Sequence, residues 1–309
     1  MLKPSGDHRN GGPEEQLFST LNRPLQQYPF QRLGSAKLPI RPPAKTVADE
    51  FVVFLGGDDT YGCHIEEPFP ALIERISGVQ AFNLGCVGSS LDVFTKHMEI
   101  LRLCSYAGLV VIEIMGAEAI SNRLYRVDER NTQNLLRASK YLKALYSEID
   151  FAQIATISEL LTILAQTSND RLFFVRQELQ LAWVARMRGL IRQISAPVIL
   201  LWISDHEPFF AETGGTVFRD PLFVDRTMIE NLRPEVVDIV EFVSLPEEVY
   251  RGNSDPGSRS EKTAMPVEVL GSRFHQRVAE ELSPIVQEIL AAAQKDQSEL
   301  PGKVAFTSG

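Results

Sequence analysis

The side chains able to do chemistry in this 309-residue chain lie in a few glycine-bounded stretches. Residues 55–62 read Leu-Gly-Gly-Asp-Asp-Thr-Tyr-Gly, placing Asp58, Asp59 and Thr60 behind a Gly56-Gly57 pair that allows close backbone approach to a ligand. Residues 83–90 place Asn83, Gly85, Cys86, Gly88, Ser89 and Ser90 in one short loop. Glu118, Asn122, Arg123 and Arg126 follow an apolar run closed by Gly116, and Asp205-His206 follows another. An imidazole beside a carboxylate suits general base work. A carboxylate can also attack a phosphoryl or glycosyl centre directly. The hard oxygens of Asp58, Asp59, Glu118 and Asp205 suit Mg²⁺ or Ca²⁺, which would support phosphoryl chemistry. Arg123 and Arg126 are suited to bidentate contact with an anion or to structural ion pairs.

Each group also has a simpler role open to it. Asp205-His206 can be a turn pair with a solvated histidine, and Ser89 or Ser90 can cap the following helix. Cys63 and Cys86 can be small buried apolar residues, with Cys86 also open as a nucleophile. His64 and His97 suit a helix surface or a satisfied core, and Met98 and Met187 suit a core. Three widely spaced cysteines without CxxC pairing exclude a zinc ribbon and argue against a disulfide scaffold. The 55–62 loop lacks both the Walker lysine and a GxGxxG spacing, which removes most support for nucleotide binding. No cofactor is expected.

The elements that must position these groups alternate. Residues 51–55, 80–84, 109–115, 197–203 and 236–243 are strand-like apolar runs. Helical spacing covers 68–77, a stretch through Leu91, Phe94, Met98 and Leu101, a face of Val175, Leu179, Trp183, Met187, Leu190 and Ile194, and 272–293. Residues 117–172 break the rhythm as an insertion, read as a polar loop and a mostly helical segment over 135–166. Five strands alternating with helices predict an α/β fold, a doubly wound parallel sheet flanked on both faces. Ligands then bind beyond the carboxyl ends of the strands, where the loops named above fall.

Apolar residues at 44%, a mean hydropathy of −0.07 and no apolar run of membrane-span length make the bulk an ordinary soluble domain. The net charge of −9 divides unevenly: residues 1–48 carry seven Lys or Arg against three Asp or Glu, leaving −13 on the remainder. That acidic body repels nucleic acid, so neither nucleic acid nor membrane is an expected partner. The basic stretch holds seven of the 18 prolines and reads as an arm over 1–48, draped on the surface or contacting a partner subunit. The domain then spans 49–293 and a polar tail 294–309. The start lacks the apolar core of a signal peptide, so the expected location is cytoplasmic.

The loops carry a resemblance. LGGDDTYG after the first strand, Asn83-Leu-Gly85-Cys-Val-Gly88 after the second and residues 110–116 at the third resemble the first three blocks of the SGNH (GDSL-type) hydrolase superfamily. More specifically, the chain resembles an uncharacterised bacterial domain family with an SGNH-like core, a GGSETYG-like first loop and an SNR(F/L)Y segment, here residues 121–125. The resemblance implies an oxyanion glycine at Gly85 supported by Asn83, with Gly57, Asp59, Thr60, Gly88, Glu118, Asn122 and Arg123 around a substrate. It places the nucleophilic serine at Asp58, the oxyanion asparagine at Glu118 or Ala119, and finds no DxxH before the last helix, where His275 comes about two turns late. A carboxylate cannot do the alkoxide's work in ester hydrolysis, and at the asparagine position it repels an oxyanion unless protonated.

Three functions are therefore expected from the sequence. One is an atypical or degenerate hydrolase or acyl transferase acting on an acylated carbohydrate or similar ester, with Asp58, Asp205 and His206 as catalytic candidates. The second is a binding or assembly protein that kept the scaffold, with a small-molecule or carbohydrate ligand. The third is the carboxylate metal site.

Overall fold

The computed structural model describes residues 31–32, 39–41, 47, 50–129, 131–209, 219–253 and 266–299. Most of the predicted arm, and the tail beyond 299, lie outside them. Five parallel strands form the central sheet: β1 (Phe51–Gly56), β2 (Gln80–Gly85), β3 (Leu109–Glu113), β6 (Val198–Ser204) and β7 (Asp238–Val243). Their order across the sheet is β2-β1-β3-β6-β7. Every residue of β1, β3 and β6 is buried, as strands covered on both faces must be.

Alternate side chains build two cores. Phe51, Val53, Leu55, Val110, Ile112, Leu200 and Trp202 face α3 (Leu91–Lys96), α4 (Met98–Tyr106), α6 (Ile157–Thr167) and α7 (Asn169–Ile191). Val52, Phe54, Val111, Ile199 and Leu201 face α2 (Phe69–Ser77) and the last helix, α9 (Ser272–Glu299). The predicted apolar face of α7 is buried from Val175 to Ile194, Met187 included. His275 on α9 is buried, stacks on Phe69 and accepts a hydrogen bond at Nδ1 from the Phe69 amide at 3.2 Å. Burial holds its pKa down near 4, so this imidazole is neutral and structural.

Three details differ from the sequence reading. The helix expected through Met98 breaks at His97, whose extended backbone (φ −105°, ψ 99°) separates α3 from α4 and leaves Met98 73% exposed rather than in the core. Residues 135–138, expected to be helical, form strand β5 (Leu135–Ala138), paired antiparallel with β4 (Tyr125–Val127). Here Leu135 packs on the core while Leu136 is exposed, the two-residue period of a strand. Helix α9 continues to Glu299, past the predicted end at 293. A second antiparallel pair, β8 (Val249–Asn253) with β9 (Pro266–Leu270), precedes α9, and α5 (Lys140–Leu145) follows β5.

Two contacts fix the first loop against the sheet. Gly85, at the end of β2, lies so close to the one-turn helix α1 (Asp58–Tyr61) that a Cβ there would come within 2.3 Å of the Tyr61 nitrogen and 2.8 Å of the Thr60 carbonyl carbon. From the other side, the Arg41 guanidinium donates to the carbonyls of Tyr61 (2.8 Å), Gly62, Ile65 and Glu66 (2.6 Å each). Because the obstruction at Gly85 is backbone, Gly85→Ala should destabilise the fold by about 1–3 kcal/mol or more. A lower urea midpoint with an unchanged m-value is the expected reading.

Candidate functional site

The switch point of this strand order lies between β1 and β3, and the groups gathered there are carboxyls. Glu113, the last residue of β3, is 7% exposed. Its Oε2 accepts hydrogen bonds from the Gly57 and Thr60 amides at 3.0 Å each and from the Thr60 hydroxyl. Loss of solvent pushes its pKa up to about 7 against the opposing pull of those donors. The sequence reading passed over Glu113. The available signal was a lone acid ending an otherwise apolar strand.

Asp58 reaches solvent, and its Oδ1 accepts a hydrogen bond from the Gly88 amide at 2.8 Å across the mouth of the two loops. Its pKa is raised by partial desolvation, opposed by that amide and by the charge of His64. Asp59 is raised well above the usual carboxylate range by loss of solvent and then by Glu113, Asp220 and Asp58. Glu118 is pushed up to about 8 by burial and the Asp220 charge, and its Oε2 is enclosed without a hydrogen-bond partner. Asp220, a second residue the sequence reading did not find, interacts electrostatically with Asp58, Asp205 and His206, and its pKa is raised chiefly by loss of solvent and then by the Asp58 and Asp205 charges. Four of the predicted acids therefore share one electrostatic neighbourhood through Asp220. They do not converge on a point: among the described residues no three His, Cys, Asp or Glu are placed to hold a metal ion.

The second loop is occupied by its own bonds. Asn83 Oδ1 accepts from the Gly85 amide at 2.9 Å while Asn83 Nδ2 donates to the Thr60 carbonyl at 2.7 Å. Gly88 takes a left-handed conformation (φ 62°) that turns its amide towards Asp58. Ser90 stands at the N-cap position of α3, but neither serine caps it with its side chain: Ser89 donates to the Cys86 carbonyl at 2.6 Å, and the Ser90 hydroxyl is buried without a hydrogen-bond partner. Burial raises the Cys86 and Cys63 thiols to about 12, which leaves both un-ionised and unreactive near neutral pH.

His206 is 8% exposed, stacked on Phe209 and edge-on to Trp202. Its Nδ1 bonds to the Glu207 carbonyl at 2.8 Å, and its buried Nε2 has no hydrogen-bond partner. Asp205 stands 3.9 Å from Nε2, beyond hydrogen-bond reach, so the carbonyl and not the carboxylate orients the ring. Asn122 and Arg123 are engaged elsewhere. Asn122 Oδ1 accepts from the Leu124 and Tyr125 amides, and Arg123 forms a two-pronged pair with Glu178 on α7. That partner lies beyond the 117–172 insertion.

Residues 18–290 match the family described as a domain of unknown function, DUF6473. The chain belongs to that family. No curated protein matches this DUF6473 chain. It is similar to the solved structure of a putative lipolytic protein of the G-D-S-L family from Desulfitobacterium hafniense DCB-2, at 13% identity over 76% of this chain and 98% of that one, with a TM-score of 0.37. It is also similar to the salicylyl-acyltransferase SsfX3 from a tetracycline biosynthetic pathway, at 12% identity, 83% and 58% coverage and a TM-score of 0.33. Phospholipase A1 from Streptomyces albidoflavus NA297 matches at 17% identity, 61% and 72% coverage and a TM-score of 0.30. The DUF6473 chain has an α/β scaffold built on five parallel strands in the order β2-β1-β3-β6-β7, and no described helix is long and apolar enough to cross a membrane.

Glu113 and Glu118 set a pH dependence. Folded Glu113 keeps its proton to about 7 and Glu118 to about 8, against an ordinary 4.5. Between those values the folded state binds more protons than the unfolded one, so stability falls as pH rises through the window. Thermal unfolding should therefore show Tm declining from about pH 5 to about pH 8. Glu113→Gln, which keeps an oxygen acceptor for Gly57 and Thr60, should shallow that decline, and an unchanged slope would refute the assignment.

Proposed function

We propose that this DUF6473 chain is a ligand-binding protein on a hydrolase-like scaffold and that it does not hydrolyse esters. One observation carries the reading: the groups that would perform acyl transfer satisfy one another. The Gly85 amide, the donor expected to face an oxyanion, is bonded to Asn83, and the Gly88 amide is bonded to Asp58, which the resemblance puts at the nucleophile position. An oxyanion hole works through donors that are free and aimed before the charge develops. Here the described donors are occupied, and a carboxylate stands where an alkoxide would have to form.

The same groups suit a neutral, hydroxyl-rich ligand such as a carbohydrate. Glu118, still protonated near pH 7, offers a hydrogen-bond donor through a carboxyl with one oxygen unpartnered, while Asp58 and Asp59 offer acceptors at the mouth. A hydrolase is the second reading, favoured by the buried, unpartnered Nε2 of His206, which a bound substrate could meet as a base.

Turnover of p-nitrophenyl acetate and of an acetylated-sugar panel by wild type and by Asp58→Ser separates these readings. Neither protein should exceed the buffer rate, because a serine alone leaves the Gly85 amide tied to Asn83. Saturable turnover by wild type that His206→Gln removes would overturn the binding reading. Binding itself should appear by calorimetry with the same sugars and weaken by about tenfold in Glu118→Ala, the loss of one or two buried hydrogen bonds.

A further inference from the structure

The β4–β5 hairpin carries a second, chemically opposite site. Arg126 and Arg137 are direct cross-strand partners, so their side chains leave the same face of a two-stranded ribbon. Both are exposed, on strands whose neighbouring Tyr125 and Val127 are buried. Like charges directly opposite in an antiparallel pair are destabilising, and here no described acid pairs with either arginine. Glu129, also on the hairpin, is drawn to Lys96 at 2.6 Å.

These two arginines line a depression of about 400 Å³ together with Arg123, Lys140 and Tyr141, and no Asp or Glu contributes to its wall. Four cations in a wall that holds no acid, only Arg123 among them paired with a carboxylate of the described residues, is a strong local departure on a chain of net charge −9. Arg123 is already held by Glu178, which fixes one guanidinium at the rim. The depression adjoins an open groove of about 820 Å³ that shares Asn122, Arg123 and Arg126 and reaches α7, leaving room for the rest of a small molecule.

We propose that this hairpin pocket binds the tetrahedral anionic group of a small phosphorylated or sulfated molecule, with Arg126 and Arg137 as its paired guanidinium donors and Lys140 as a third charge. Planar guanidinium forks match phosphate and sulfate oxygens two at a time, and an anionic group between the arginines converts a repulsive pair into two attractive ones. No carboxyl of the sheet edge lines this pocket, so the inorganic phosphate and sulfate arms of its test and the hairpin variants do not depend on the sugar-binding reading.

The experiment is thermal unfolding and calorimetry of the full chain in inorganic phosphate, in sulfate and in a sugar phosphate, each against sodium chloride at matched ionic strength. Phosphate and sulfate should raise Tm above the chloride control, and a tighter sugar phosphate would identify an organic ligand rather than the free ion. In Arg126→Gln/Arg137→Gln the affinity should fall about tenfold or more, whereas Arg102→Gln, an exposed cation on α4, should leave it unchanged. In the absence of added anion, Arg137→Gln alone should unfold at a higher temperature than wild type, because it removes the cross-strand repulsion. Equal responses to phosphate and chloride in wild type would overturn the proposal whatever the variants do, and so would equal phosphate affinity in wild type and the double variant.

Discussion

The buried carboxyl of Glu113 is the joint on which the sheet edge is built. Strand β3 ends on it, and its Oε2 gathers the amides of Gly57 and Thr60 and the Thr60 hydroxyl, so the start of α1 is fastened to the neighbouring strand. A one-turn helix cannot hold its own geometry in water, since nucleation costs more than a single turn returns. Its shape is imposed from outside by Glu113 at its head, by Asn83 and Gly85 along its side and by Arg41 behind it. The lack of room for a Cβ at Gly56, where the Thr60 hydroxyl and Glu113 would both intrude within 2.2 Å, follows from the same crowding.

That joint also sets the electrostatics. A charged carboxylate buried at the head of the site would add to the repulsion among Asp58, Asp59 and Asp220, and the low-dielectric surroundings favour the protonated form instead. The edge is thus less negative near neutral pH than its six acids suggest. Neutral carboxyls donate as well as accept, which suits a ligand bearing hydroxyls better than one bearing a full positive charge.

The sheet was legible in the sequence because strands buried on both faces leave uninterrupted apolar runs, as in β1, β3 and β6, while the half-buried β2 and β7 showed as short, mostly apolar runs carrying Asn83 and Glu241. The α7 face was legible for the matching reason, with apolar residues three and four apart from Val175 onward. The β4–β5 hairpin was not, because Leu135 and Leu136 suit a helix as well as a strand and only pairing with Tyr125–Val127 decides. In the site, Asp58, Asp59 and Glu118 were legible from loop position. Glu113 was hidden inside an apolar run, and its partners lie more than fifty positions earlier in the chain. Asp220 lies late in the long stretch between β6 and the helix Arg226–Glu230, far in sequence from the strand end where site residues were sought, so no periodicity points to it. The Asp205-His206 adjacency invited a pairing that the 3.9 Å separation does not provide, since neighbours in sequence need not face one another.

The Arg41 contacts change where the cooperative unit starts. Composition puts a boundary at 48, yet one guanidinium from the basic side of that boundary satisfies four carbonyls of the loop joining α1 to α2. A fragment cut at residue 49 would keep the whole sheet and both cores and would lose the brace of the very loop that carries Asp58. Trimming the chain to its compositional domain therefore separates foldedness from competence: such a fragment would pass a test of secondary structure while its candidate site had lost a wall.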